Sequence, residues 1–218
     1  MPTKDFSNGV EALENKLLLI TLAIYAVIVT SSAVLLGHLF EVFGTAKLDT
    51  DQPEFISLIV AAAYFGLAAA FFVTIVLVCK WLYRAHANLY AAGIADLEFT
   101  PRWAVIWYFI PFANLFKPYQ AMQELWNTSR QLHDYPTEQA PTLVRIWWSA
   151  FIGSGILAAI GFLIETGTLP ADEGVTTGTI ISAAGTLLFI VSANSLLQLV
   201  RDITEAQRNG LRAAEIFG

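Results

Sequence analysis

Four long stretches without a single Asp, Glu, Lys or Arg govern what this chain can fold into: Leu17–Phe40, Phe55–Cys79, Ile146–Ile164 and Val175–Val200. Each exceeds the roughly 18 apolar residues with which a helix, rising about 1.5 Å per residue, crosses about 30 Å of hydrocarbon. Hydrophobic residues make up 56% of the chain and charged ones 14%, against roughly 25% charged in soluble domains. A soluble domain of this size can bury one such helix, but four leave it too little polar surface. The expected fold is all-α: a polytopic membrane protein with transmembrane helices at 17–40, 55–79, 146–164 and 175–200.

Met1–Asn15 carries more acid (Asp5, Glu11, Glu14) than base (Lys4), and the apolar run after Lys16 lacks a small-x-small cleavage site. It is read as a retained first span rather than a secretory leader. Lys4 and Lys16 precede that span. Lys80, Arg84, Arg102, Lys117, Arg130 and Arg145 lie between spans two and three, and Arg201, Arg208 and Arg212 follow span four. Eleven of the twelve bases thus share one side, with Lys47 alone opposite. The excess of bases predicts cytoplasmic termini and a cytoplasmic middle loop. The outer loops hold Glu41, Asp49, Asp51, Glu54, Glu165, Asp172 and Glu173, so the net charge of −6 falls outside. Nothing in that distribution suits a nucleic acid. Cys79 is the sole cysteine, which rules out an intrachain disulfide. It reads as a buried apolar thiol, with acylation at the membrane edge as the alternative.

The middle loop, Lys80–Arg145, is too apolar and aromatic for a simple connection. Span two should continue as a helix through Trp81–Leu89 and stop near Gly93, with Trp81 and Tyr83 at headgroup level. Thr100-Pro101 has the form of a helix start, Thr capping and Pro at the first turn. The run Trp103–Phe116 is too short to span, Pro111 should break it, and a fifth crossing would carry Lys117, Arg130 and Arg145 outside. A cytoplasmic-side re-entrant or interfacial segment, about 100–132, fits better, with its broken backbone covered by protein. From Lys117 an amphipathic helix is expected, with Tyr119, Met122, Leu125 and Trp126 on one face. Phe6, Val10, Leu13 and Leu17 make a similar stripe in a cytoplasmic segment 1–16. Residues 201–218 read as a cytoplasmic extension of the last helix, weakened at Gly210.

The run Trp81-Leu82-Tyr83-Arg84-Ala85-His86-Ala87-Asn88-Leu89 carries a resemblance, together with Phe99-Thr100-Pro101-Arg102-Trp103-Ala104-Val105, Phe109-Ile110-Pro111-Phe112-Ala113-Asn114-Leu115-Phe116-Lys117-Pro118-Tyr119-Gln120 and Glu124-Leu125-Trp126. Over residues 60–200 the chain resembles a bacterial membrane family known as domain of unknown function 4328. The resemblance implies a multi-pass protein of the bacterial inner membrane, with this aromatic segment as its signature. It implies no catalytic residues.

Arg84, His86, Asn88, Asn114, Lys117 and Glu124 are candidates to converge beneath the four helices, with Trp103, Trp107 and Trp126 as aromatic contacts. One reading gives Arg84 and Lys117 an anionic headgroup or a partner's carboxylate, and gives the asparagines a ligand carbonyl. The other has these groups satisfy the freed backbone around Pro111. In span four, Asn194, Gln198 and Arg201 share a face. They either line a wet cavity or bond across helices toward Asn88 and Asn114. His38 and His86 fall at opposite ends of their spans and His133 in a loop, so neither a haem nor a metal site is expected, nor any other cofactor. Small residues at Ala62, Gly66 and Ala70, at Ala150, Ser154 and Ala158, and at Gly178 and Ser182 allow close helix packing within one chain or in a homo-oligomer.

With no catalytic constellation, the expected function is non-catalytic: an accessory or assembly subunit or scaffold of a membrane complex, or a lipid-binding module. Membrane lipids and a membrane protein are its expected partners. A small transporter or channel is the alternative, although the span cores carry no charge for ion coupling. A lipid-modifying enzyme using His86 with Glu124 or Arg84 comes third.

Overall fold

The computed structural model describes residues 4–44, 53–131, 142–171 and 174–217. His133 lies outside them, as do Lys47, Asp49, Asp51, Asp172 and Glu173. The described residues form six α-helices and no strand: α1 (Lys4–Gly44), α2 (Pro53–Ala91), α3 (Pro101–Ile106), α4 (Lys117–Gln131), α5 (Thr142–Glu165) and α6 (Gly174–Phe217). Two 3₁₀ turns, Trp107–Phe109 and Ala113–Leu115, join α3 to α4.

The helices α1, α2, α5 and α6 are each long and apolar enough to cross a membrane, and they contain the four charge-free runs. In the most apolar stretch of each, only 28, 11, 28 and 33% is buried within the protein. Leu18, Phe65, Phe72, Phe162 and Leu187 are all more than half exposed. A water-soluble fold would hide this surface, whereas hydrocarbon solvates it without cost. This is a multi-pass membrane protein.

Beyond the charge-free runs the helices continue. α1 begins well before Leu17, and α6 passes Gly210 without a break. α2 ends where Gly93 takes φ +79, a left-handed conformation that glycine adopts without a Cβ penalty. The Gly93 amide donates to Tyr90 O (3.0 Å) and the Ile94 amide to Leu89 O (3.2 Å), the paired bonds of a Schellman cap.

Contacts group the chain into two compact units. The first comprises residues 1–22, 74–145 and 195–218, the second residues 23–73 and 146–194. In the first, Phe6, Val10 and Leu13 of α1, Trp81, Leu82 and Leu89 of α2, Met122 and Leu125 of α4, and Leu199 and Ile203 of α6 are buried. Removing such a side chain from water is worth roughly 1.5–3 kcal/mol. The expected amphipathic stripes of 1–16 and α4 are the faces buried here.

In the second unit small residues bring backbones together. A Cβ on Gly161 would lie 2.9 Å from Gly178 O, and one on Gly178 would lie 2.9 Å from Gly161 O. One on Gly185 would meet Ala158 N and Ser154 O at 3.1 Å. Ser192 Oγ donates to Trp147 O (3.0 Å) and Ser182 Oγ to Glu165 (2.9 Å), both between α5 and α6. His38 is buried against the Tyr64 hydroxyl (3.1 Å). The small-residue faces of α5 and α6 therefore serve packing within the chain.

Candidate functional site

The aromatic segment belongs to the first unit and is built by short-range rules. Thr100 is extended (φ −71, ψ 154), and its hydroxyl accepts the Trp103 amide (3.4 Å), with Pro101 in the first turn. Proline lacks the amide that a helix would need at position 111, and the helix is already lost at Ile106. The chain then turns tightly at Phe112 (φ 64, ψ −44), with the Ala113 amide donating to Pro111 O across it (2.8 Å). This is a γ-turn of the positive-φ kind, rare because it strains a residue with a side chain. The Asn114 amide donates to Ile110 O, Leu115 to Phe112 O and Phe116 to Ala113 O.

Those bonds pair the carbonyls of residues 110–113 within the segment, so this stretch does not draw on Asn88, which bonds to Gln207. Nor is the break covered by protein. Phe112 is 81% exposed and Phe109 67%, and Trp103, Ile106, Leu115 and Phe116 are each exposed. The short turns leave too few inward positions for so many aromatic rings, which project outward as an apolar rim.

Two residues fasten this segment. The Glu124 carboxylate on α4 accepts the backbone amides of both Glu98 and Phe99, the latter at 3.1 Å. Burial pushes the Glu124 carboxyl above the usual carboxylate range, although the two amide bonds pull it down. Lys117 Nζ pairs with Glu98 at 3.0 Å and lies over the rings of Phe99 (5.2 Å) and Trp107 (6.0 Å). Cation and carboxylate are both engaged within the chain. Trp107 packs on Trp103 with 5.0 Å between centroids, and Arg130 lies over Trp126, which is nearly buried.

The same unit holds a buried polar junction of α2, α4 and α6. Gln207 Nε2 donates to Ala85 O and to Ser129 Oγ (3.0 Å each), and its Oε1 accepts from Asn88 Nδ2 (2.9 Å). Trp81 Nε1 donates to Thr204 Oγ1 (3.1 Å), which donates to Val200 O (2.7 Å). Trp81 is 2% exposed, so its ring packs within the protein rather than against lipid headgroups. Gly9 of α1 closes the junction, since a Cβ there would fall on the Asn88 side-chain oxygen.

The sequence candidates thus separate. His86 is fully buried, and its Nδ1 must donate to Leu82 O (3.0 Å), because a carbonyl only accepts. Asn88 joins Gln207. Lys117 and Glu124 form the fastening, Asn114 is half-buried in the second 3₁₀ turn, and Arg84 is exposed. Asn194 is exposed and bonds back to Ile190 O of its own helix (2.9 Å), and Gln198 is exposed, so neither crosses to another helix. Gln207 was missed. Its signal was position: it continues the buried stripe Leu197, Val200, Ile203 and Thr204, where an uncharged amide needs partners.

Residues 44–205 match the profile of the domain of unknown function DUF4328. The chain belongs to this family. No curated protein and no solved structure matches it. The DUF4328 match takes in the aromatic segment, its Glu124 and Lys117 fastenings and the Trp81–Thr204 pair. Gly9 and Gln207, which complete the buried junction, fall outside it.

Proposed function

We propose that this DUF4328 protein is a non-catalytic module of the bacterial inner membrane, with cytoplasmic termini, whose aromatic segment docks a membrane partner at the cytoplasmic lipid–water interface. The observation that carries this reading is the rim of Trp103, Ile106, Phe109, Phe112, Leu115 and Phe116, exposed yet held on a fastened frame. Aromatic rings favour the headgroup region, where one edge meets hydrocarbon and the other water. A rigid rim of this kind also suits the core of an interface with another membrane subunit. The excess of bases on the side of the middle loop supports the orientation. His86 does not favour catalysis, because its ring is closed off from solvent.

The test is extraction of the full-length tagged protein from its own membranes in mild detergent, beside a Phe109→Ser, Phe112→Ser, Phe116→Ser variant, with bound proteins and lipids identified by mass spectrometry. A stoichiometric protein partner lost from the variant is the expected result. Enrichment of one lipid with no protein would make it a lipid-binding module instead. Recovery of the same companions with both forms would remove the rim from the function.

A further inference from the structure

A second feature of the first unit lies apart from the aromatic rim. A cleft of about 510 Å³ is lined by Glu14, Leu17, Leu18 and Thr21 of α1 and by Arg201, Thr204, Glu205 and Arg208 of α6. Both sets recur at intervals of three and four residues, so each is one continuous helix face. Leu17 opens the first charge-free run and Val200 closes the fourth, immediately before Arg201. The cleft therefore straddles the change from hydrocarbon-compatible to charged surface. Its apolar end continues into exposed leucine: Leu18 is 69% and Leu22 57% exposed.

The charged end holds two carboxylates and two guanidinium groups, which sum to zero. Arg208 approaches Glu14 at 3.6 Å and Glu205 at 3.5 Å, long for ion pairs, and its Nε is buried without a hydrogen-bond partner among the described residues. Arg201, Glu14 and Glu205 are all exposed. A neutral cleft with separated charges matches a ligand that is itself neutral with separated charges. Guanidinium groups take a phosphate diester through paired N–H donors. The glutamates take a primary ammonium, which donates hydrogen bonds that a trimethylammonium lacks. No aromatic ring lines the cleft to cage a quaternary amine.

We propose that this cleft binds the headgroup of an aminophospholipid of the phosphatidylethanolamine type, with Arg201 and Arg208 on the phosphate, Glu14 and Glu205 on the ammonium, and an acyl chain along Leu17 and Leu18. The inference needs only that the long helices cross a membrane. It stands or falls independently of the aromatic rim.

The full-length protein would be placed in nanodiscs of equal phosphatidylethanolamine, phosphatidylglycerol and phosphatidylcholine, released in mild detergent, and weighed by native mass spectrometry. One retained phosphatidylethanolamine is expected. Equal retention of all three lipids overturns the proposal without any variant. The R201Q/R208Q pair should lower retention about tenfold, the order expected for losing a charge-assisted hydrogen bond. The E14Q/E205Q pair should abolish the preference over phosphatidylglycerol, and Arg208→Lys, which keeps the charge but loses the paired donors, should weaken retention less than R201Q/R208Q does. Unchanged retention in both double variants also overturns it. Soluble glycerophosphoethanolamine provides the last arm. If it displaces the lipid at equal concentration, the site is one for free phosphate esters and the acyl contact is wrong.

Discussion

Where α5 and α6 meet in the second unit, backbone approaches backbone across Gly161 and Gly178. Where α2 and α6 meet in the first, a tryptophan, an asparagine and a glutamine fill the gap. The difference follows from the surroundings each suits. Between helices in lipid there is no gain from hiding apolar side chains, so close backbone approach and short hydroxyl bonds such as Ser192 to Trp147 O supply the attraction. Around the junction in the first unit, large side chains such as Trp81, Leu82, Leu89 and Ile203 are buried to the last few per cent. A polar network at its centre then specifies one register of α2 against α6, because any slip leaves buried amides unpaired.

The largest effect should come from Gln207→Leu. It removes three hydrogen bonds and strands the buried Asn88 amide, at roughly 1–3 kcal/mol for a buried unpaired group. Hydrogen exchange in detergent should show protection lost around residues 81–89 and kept around 154–161. An equal loss in both places would break the distinction between the units. Gly178→Val reverses the comparison, with overpacking of about 1–3 kcal/mol where a Cβ already collides with Gly161 O. Here residues 154–161 should lose protection first.

Thr204→Val keeps the side chain's shape and deletes the acceptor of the Trp81 indole N–H, so a loss of about 1 kcal/mol is expected in denaturant titrations of the micellar protein. That figure sharpens the contrast: a larger loss would mean that the network is cooperative. The smallest effect concerns Glu124. Because burial raises its carboxyl in the folded state, its stabilising contribution is full below the ordinary carboxylate range and falls as pH rises through the raised value. Thermal melts of the wild type should drift down relative to Glu124→Gln as pH increases from about 4. A drift in the opposite direction would mean that the two amide bonds outweigh burial.

The long helices and their local boundaries were legible because they rest on nearest-neighbour physics. Charge-free length predicts a span, Thr100-Pro101 a helix start and Gly93 a stop. The partners of polar side chains were less so. Asn194 and Gln198 drew attention by lying in an apolar run, yet they sit off the buried stripe of α6, while Gln207 sits on it among charged residues that disguise it as surface. Lys117 and Glu124 looked available for a ligand because their real partners, Glu98 and the amides of 98 and 99, are brought in by a loop that no periodicity predicts.

The positive φ at Phe112 has one more consequence. A bulky residue in so restricted a turn has few alternative backbone shapes available, so the direction in which the chain presents its most exposed ring is set before anything touches it. The entropy that a floppy loop would surrender on contact is forfeited earlier, during folding. Replacing Phe112 with glycine would relax the turn and free the tip to wander. The segment is therefore better described as a stamp than as a tether: its fidelity comes from refusing to adapt.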